Sequence, residues 1–283
     1  KSRILFLVPL PPPVHGSAMV SQAIRNSTRI NRSFQTDYVN LTTSRKMNEI
    51  GKHCVKKIFR FFGAFSKMMY KLLFHRWDAC YLAITCHGIG FLKDVPFVAL
   101  CKWFSPKVIL HLHNKGLSKE VYRWPYRWLM PWIFRHTEVI LLSERLYSDV
   151  ASVVRPEQVH ICPNGLSSPV DIKEVSHSSV PHLLFLSNLI ESKGVYVLLD
   201  ACQILKDKGY SFICDFVGGE TKEITRRHLE EEISQRGLEE YVVYHGPQYG
   251  EAKELFFQKA DIFVQPTFED CFPLTLVEAM QHG

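Results

Sequence analysis

The chain has 283 residues, 46% of them hydrophobic and 22% charged, with a formal net charge of +6. That is long enough for two ordinary domains, each with a substantial core, and a soluble two-domain protein is expected. Eight cysteines, at 54, 80, 86, 101, 162, 202, 214 and 271, form no Cys-x-x-Cys and no Cys/His cluster at metal-ligand spacing. A structural zinc site is therefore not expected, and buried free thiols in a reducing, cytoplasmic compartment are. The charge is divided unevenly: residues 1–170 hold 24 Lys/Arg against 9 Asp/Glu, and residues 171–283 hold 10 against 19.

The chain opens on RILFLVPLPPP, an apolar run broken by prolines. It is too short for a membrane span and reads as a strand buried on both faces of a parallel sheet, not as a signal peptide. A Pro/Gly loop follows, and Gly16 opens a helix. Further strands are predicted over Phe34–Val39, Ala79–Ile84, Val108–His113, Glu138–Leu142 and Gln158–Cys162, with helical segments between most of them. This alternation is the βαβ signature of an open α/β sheet. Periodicity vanishes between Pro163 and Pro181, a Ser/Pro/Gly-rich linker that divides the chain into domains 1–170 and 171–283.

The alternation then restarts. HLLFLSN reads as a strand, KGVYVLLDACQILKDKG as a helix closed by Gly209, SFICDFVGG as a strand and KEITRRHLEEEISQRG as a helix closed by Gly237. YVVYHG, EAKELFFQKA and DIFVQP continue the pattern, and a last helix runs from about Pro273. No low-complexity tract or short repeat interrupts it. The architecture itself repeats, as two Rossmann-like units in tandem with a cleft between them. In such sheets ligands bind beyond the carboxyl ends of strands. The loops of interest therefore follow Leu10, His113, Leu186, Val217, Tyr244 and Gln265.

The loop TFEDCF and the helix after it carry three acids. Glu269 and Asp270 precede the helix, where Pro273 suits the first position, and Glu278 lies on its second turn with its side chain leaning back toward the N-terminus. Two readings of Glu269 and Asp270 remain: they complement the helix dipole, or they serve a ligand. Glu278 sits among apolar neighbours, LTLV and AM, which imply a largely buried helix in which an unpaired carboxylate would be costly.

The whole segment ADIFVQPTFEDCFPLTLVEAMQHG resembles the signature of the retaining GT-B glycosyltransferases of family 4 (glycosyl transferases group 1). There, an acid and a glutamate separated by seven residues precede Ala-Met and a Gly. In this register Asp270 pairs with Glu278, and Asp270 stands where the family usually has Glu. The resemblance implies that Asp270, with Glu269 adjacent, lies by the donor sugar and that Glu278 holds the nucleotide ribose. Phe272, Pro273 and Leu274 are placed in the donor site in the same way. Two carboxylates suit vicinal diols, because each accepts two hydroxyl hydrogen bonds.

The likeness extends along the chain in order, fading between about residues 40 and 105. LLFLSNLIESKGVYVLLDA is similar to the family's strand, loop and Lys-Gly helix start, which assigns Lys193 to the donor diphosphate; read alone, it could be a surface lysine. Asn188 replaces the usual Arg and Ser187 the preceding Gly, which weakens bidentate phosphate recognition. DFVGGE and VVYHGPQ resemble the loops flanking the base, around Gly218, Gly219 and Gly246, although glycines also simply make turns. PPPVHGSA resembles the loop whose Gly, here Gly16, approaches the donor phosphate. VILHLHNKG resembles the strand whose terminal His, here His113, faces the reaction centre, and His111 on the same face reads as a satisfied core histidine. ICPNGLSSP resembles the Asn-Gly segment closing the first domain. The family continues beyond this Gly with more strands and helices, so the chain is expected to be a fragment with an incomplete second sheet.

CVKKIFRFFGAFSKMMYKLLFHRW and VYRWPYRWLMPWIFRH combine Lys/Arg with aromatic and aliphatic residues. Such helices can cover a sheet with snorkelling stems, or lie on an anionic membrane. The basic balance of the first domain favours the membrane, and no nucleic-acid motif is present. The expected protein is α/β of GT-B type, two Rossmann-like domains facing each other across a cleft. Its expected activity is retaining, metal-independent transfer of a sugar from a nucleotide-sugar, UDP- or GDP-linked, to an acceptor hydroxyl in bacterial surface polysaccharide or glycolipid assembly. No cofactor is expected. The acceptor would be lipid-linked or a glycan, and the enzyme would rest on the inner face of the cytoplasmic membrane. The alternatives are an epimerase or phosphorylase of the same fold and a catalytically silent binding module.

Overall fold

The computed structural model describes residues 1–43, 55–166 and 179–283, so Cys54 and most of the predicted linker lie outside the described residues. The chain forms two compact units, Lys1–Asn164 and Gly165–Gly283.

In the first unit the strands are β1 (Arg3–Val8), β2 (Gln35–Asn40), β3 (Ala79–Ile84), β4 (Val108–Leu112), β5 (Glu138–Leu141) and β6 (Val159–Ile161). The helices are α1 (Gly16–Asn26), α2 (Thr28–Ser33), α3 (Val55–Phe74), α4 (Gly88–Phe104), α5 (Leu117–Glu120), α6 (Tyr126–Phe134) and α7 (Tyr147–Val150). The six strands are parallel in the order β2-β1-β3-β4-β5-β6. Successive side chains of a strand point to opposite faces. Leu5 and Leu7, Leu82 and Leu110 pack with Met68, Phe97 and Met130 of α3, α4 and α6, while Phe6, Val8 and Tyr81 pack with Ile24 of α1 and Ile30 of α2. Both faces are covered, as a parallel sheet requires.

The second unit repeats the plan with β7 (His182–Leu186), α8 (Val195–Asp207), β8 (Ile213–Val217), α9 (Arg226–Gln235), β9 (Val242–Gly246), α10 (Glu251–Lys259), β10 (Ile262–Phe263) and α11 (Leu274–His282). Its parallel sheet runs β10-β7-β8-β9. One face, with Phe185 and Phe216, packs on α8 and α9; the other, with Leu184 and Val217, packs on Phe257 of α10 and Ala279 of α11. The predicted helix stops hold. Gly209 at φ +78° ends α8 through Gly209 N–H to Lys206 O and Tyr210 N–H to Leu205 O, and Gly237 at φ +62° follows α9.

Two local expectations need correction. Pro273 is extended (φ −68°, ψ 122°) and caps α11 instead of beginning it. Helix α11 is not largely buried either: none of its residues is buried, and Met280 is 74% exposed. The apolar run LTLVEAM packs on the sheet through Ala279, yet the Glu278 side chain itself is only 20% exposed, and it is paired.

Removing Leu110, fully buried in the centre of the first sheet, should cost about 2–5 kcal/mol as Leu110→Ala. Ile161→Ala, half-exposed on edge strand β6, should change stability by no more than about 0.5 kcal/mol. Urea unfolding followed by tryptophan fluorescence, which reports this unit because all five tryptophans lie in it, checks the contrast.

Candidate functional site

In the second unit the strand order reverses at β7, with β8 and β9 added on one side and β10 on the other. The loops after β7 and β10 diverge there, the place where open parallel sheets bind ligands. The loop after β7 carries Lys193 on a short 3-10 turn, Glu191–Lys193, closed by Gly194. The loop after β10 is stitched to it: Phe268 N–H donates to Ser192 O at 2.9 Å, and Thr267 Oγ1 donates to the same carbonyl at 3.2 Å. Gly194 has φ +83°, and a Cβ at this position would stand 2.1 Å from the carbonyl oxygen of Pro266. Only glycine allows this approach.

The consequence is an ion pair across the reversal. Lys193 Nζ donates to Asp270 Oδ2 at 2.5 Å, with the side chains 22% and 21% exposed. Asp270 Oδ1 accepts from the N–H of Cys271 at 2.9 Å. Two residues singled out separately in the sequence are thus direct partners. Glu269 is exposed, and Phe272, Pro273 and Leu274 are half-buried where the loop enters α11. Glu278 is tied elsewhere: Lys253 Nζ of α10 donates to its Oε1 at 2.7 Å. Sequence reasoning missed Lys253. Its one signal is a lysine on the helix that precedes β10.

The glycine-rich loops prove to be held by the protein itself. Gly218 has φ +155°, and a Cβ there would lie 1.8 Å from Ser187 O, so glycine is needed for the β7 and β8 loops to pack. Asn188 turns its Oδ1 to accept the N–H of Gly219 at 3.2 Å. The N–H of Gly218 donates to Gly246 O at 3.0 Å, and Gly246 has φ +71°.

In the first unit the order reverses between β1 and β3. A cavity of about 370 Å³ opens beyond the carboxyl ends of β1, β3 and β4, lined among others by Pro13, His15, Thr85, Asp94 and His113. Gly16 is the first residue of α1, behind His15, which caps the helix by accepting the N–H of Ala18 at 3.4 Å. A Cβ at Gly16 would meet nothing within 4 Å, so the backbone there is open to approach.

His113 lies in this cavity wall with its Nε2 buried and without a hydrogen-bond partner. Burial pushes its pKa down to about 4, with His15 adding to the effect. His111 lies behind it, the two rings tilted by 38° with centroids 4.0 Å apart. Its Nδ1 shares a hydrogen bond with the Tyr81 hydroxyl, as a core histidine should, but its Nε2 is buried without a partner, so it is only half satisfied. Burial and then His113 lower its pKa to about 3. Both imidazoles are therefore neutral at pH 7, and His113 can donate or accept a proton in a hydrogen bond but carries no charge.

Asp94, also missed, is the lone acid of the apolar helix α4 and is buried beside this cavity. Its Oδ2 accepts the N–H of Thr85 at 2.9 Å, Lys93 Nζ lies 3.4 Å from its Oδ1, and burial raises its pKa. The signal was the isolated carboxylate in FLKDVPF, a burial cost that calls for a reason.

Residues 171–283 match the family model described as glycosyl transferases group 1. The amylovoran biosynthesis glycosyltransferase AmsK of Erwinia amylovora is 24% identical over 193 residues, 64% of this chain and 46% of that protein. The putative colanic acid biosynthesis glycosyltransferase WcaL of Salmonella typhimurium is 27% identical over 140 residues, 45% of this chain and 33% of that protein. The chain thus covers less than half the length of these curated relatives. Among solved structures, sucrose-phosphate synthase from Thermosynechococcus elongatus superposes with a TM-score of 0.73 at 15% identity, covering 100% of this chain and 80% of the other. WaaG, a glycosyltransferase involved in lipopolysaccharide biosynthesis, gives 0.65 at 14% identity, with 99% and 79% covered. Anabaena HepE, solved with UDP and glucose, gives 0.65 at 17% identity, with 100% and 79% covered. These likenesses show the fold: parallel α/β of the GT-B type, two Rossmann-like units.

Two outcomes test the geometry. Gly194→Ala should lower stability by about 1–3 kcal/mol, because it combines a left-handed backbone with a backbone clash; denaturant melts would record it. For His113, the folded pKa near 4 lies below the ordinary 6.5. Its contribution to stability is present above pH 6.5 and lost as pH falls toward 4. Between those limits the urea midpoint of the wild type should therefore fall more steeply than that of His113→Gln.

Proposed function

We propose that this chain is a glycosyltransferase that moves a sugar from a nucleotide-sugar to an acceptor hydroxyl with retention at the anomeric carbon. The observation that carries the reading is the Lys193–Asp270 ion pair at the β7/β10 reversal, inside the segment that matches the group 1 family. Lys193 supplies the charge that meets the developing negative charge of the leaving diphosphate. Asp270, held by Lys193 and by the Cys271 N–H, accepts hydrogen bonds from donor-sugar hydroxyls, with Glu269 beside it. Glu278, held by Lys253, accepts them from a ribose. Neutral His113, with a buried Nε2 seeking a partner, positions a sugar hydroxyl near the reacting carbon. Lys193 and backbone N–H groups take the place a cation would fill at the diphosphate, so turnover is expected to persist in a chelator. The names of AmsK, WcaL and WaaG support a role in surface polysaccharide or glycolipid assembly.

The first unit supports a lipid-linked acceptor and a place on the inner face of the cytoplasmic membrane. No helix among the described residues is long and apolar enough to cross a membrane. Yet α3, α4 and α6 form one layer whose outer side exposes Phe59, Phe62, Trp103 and Trp128, with Trp103 84% exposed. Arg127 lies 5.3 Å from the centroid of the Trp128 ring, and α3 also carries Lys56 and Lys57. Amphipathic aromatics beside cations match an anionic interface.

A second reading, a catalytically silent nucleotide-sugar module, is favoured by one observation: Asn188 replaces an arginine and is spent on Gly219. Turnover separates the two. With a UDP- or GDP-sugar and a lipid-linked acceptor, the product should keep the donor's anomeric configuration by proton NMR coupling. Asp270→Asn should lower kcat by about 100-fold or more. An inverted product would refute retention; donor binding without any transfer would favour the silent module. Trp103→Ser/Trp128→Ser should reduce sedimentation with anionic vesicles and leave binding to neutral ones unchanged.

A further inference from the structure

Asp94 has no part in the donor chemistry, yet it is the lone carboxylate of helix α4 and is only 3% exposed. With Thr85 and Lys93 it lines the cavity of about 370 Å³ that also holds His113. One of its oxygens is spent on the fold: Oδ2 accepts the N–H of Thr85 at 2.9 Å. A Cβ on Gly90 would stand 2.7 Å from Thr85 Cγ2, so the first turn of α4 lies directly against the end of β3 and keeps this contact in place. The other oxygen, Oδ1, is buried and accepts no hydrogen bond among the described residues. Lys93 Nζ lies 3.4 Å from it, an ion-pair distance without hydrogen-bond geometry, and the Lys93 side chain is 34% exposed.

A carboxylate oxygen withdrawn from water and left without a donor is costly. Capping Thr85 accounts for one oxygen of Asp94 and leaves the other unexplained. The charges in the wall narrow what would satisfy it. An apolar group offers Oδ1 no donor, an anion meets the carboxylate, and a cation meets the Lys93 ammonium. A neutral hydroxyl suits both partners, because it can donate to Asp94 and accept from Lys93. A carboxylate and an ammonium this close together match two neighbouring hydroxyls, one on each group. The cavity volume falls within the range of small-molecule sites, about 300–1,000 Å³.

We propose that Asp94 and Lys93 form a sugar-binding subsite of the first unit, which holds two neighbouring hydroxyls of the acceptor in the cavity of His113 and so selects which acceptor is used. Asp94 Oδ1 accepts from one hydroxyl, Lys93 Nζ donates to the other, and the Thr85 N–H keeps the carboxylate from turning away. The assignment to the acceptor rests on the glycosyltransferase reading; the sugar-binding subsite itself does not.

The test is saturation-transfer NMR titration of the 283-residue chain with methyl glycosides of glucose, galactose, mannose and N-acetylglucosamine and with their monodeoxy analogues. UDP- and GDP-glucose are run alongside. At least one methyl glycoside is expected to bind, and one of its deoxy analogues should bind about tenfold or more weakly, the loss for a hydroxyl bonded to a charged group. Asp94→Asn keeps an acceptor for the Thr85 N–H and should lose no thermal stability. In that variant the parent glycoside should weaken about tenfold or more, and the same deoxy analogue should bind no worse than its parent. A purely structural Asp94 would not couple to one hydroxyl in this way. Lys93→Met alters the more exposed member of the pair and should weaken the parent several-fold with the fold intact. The proposal is overturned if no methyl glycoside binds, if Asp94→Asn binds as the wild type does, or if every deoxy analogue loses equally in both proteins. Asp94-dependent binding of the nucleotide-sugars alone would overturn the assignment to the acceptor. Because no turnover is measured, Asp94-dependent glycoside binding by a chain that transfers no sugar would leave the subsite standing and sink the glycosyltransferase reading.

Discussion

The ion pair between Lys193 and Asp270 joins two loops that start from neighbouring strands, and the candidate donor site depends on it. Two opposite charges at 2.5 Å, each about a fifth exposed, hold one another in a fixed geometry. Their net worth to stability is small after desolvation. Its value is positional. The pair forms only because Gly194 lets the β7 loop reach the Pro266 carbonyl, and because Ser192 O receives Phe268 N–H and Thr267 Oγ1. A ligand diphosphate entering there would meet a lysine whose position is already set, with a carboxylate beside it suited to hydroxyl groups. Preorganisation of this kind lowers the cost of binding a polar ligand.

The two units use one fold for different electrostatic purposes. Each is a parallel sheet whose order reverses beside its first strand, and each gathers polar residues beyond the carboxyl ends of the strands at that reversal. In the second unit these are charged groups neutralised in pairs, Lys193 with Asp270 and Lys253 with Glu278. In the first they are neutral imidazoles, His111 and His113, kept uncharged by burial, and one buried carboxylate, Asp94. Lys93 also lines that pocket, with its Nζ 3.4 Å from Asp94 Oδ1.

Most of the fold was legible because strand and helix periodicities are local. Ala79–Ile84 was delimited by its continuous apolar run, and Gly209 and Gly237 marked helix ends through the left-handed turn each supplies. The strand-end rule selected the loops that carry Lys193 and Asp270 and that follow His113, and the resemblance singled out these residues within them. What stayed hidden was partnership. No periodicity links Lys193 to Asp270, 77 residues apart, or Lys253 to Glu278. The apolar run in α11 read as burial, yet none of the residues of that helix is buried. Gly218 was open to two readings, close approach to a ligand or a turn, and no local pattern showed the packing demand of Ser187 O, 1.8 Å from a would-be Cβ.

The most direct measurement is thermal unfolding of the wild type and of Lys193→Gln against a panel of UDP-, GDP- and ADP-sugars, with and without divalent metal. A ligand at about a hundred times its dissociation constant adds roughly 2.7 kcal/mol to stability, enough to raise the midpoint by several degrees. The expected result is a metal-independent rise with one nucleotide class in the wild type that is largely lost in Lys193→Gln. No rise with any donor, or an equal rise in both proteins, would contradict a donor site built on the Lys193–Asp270 pair.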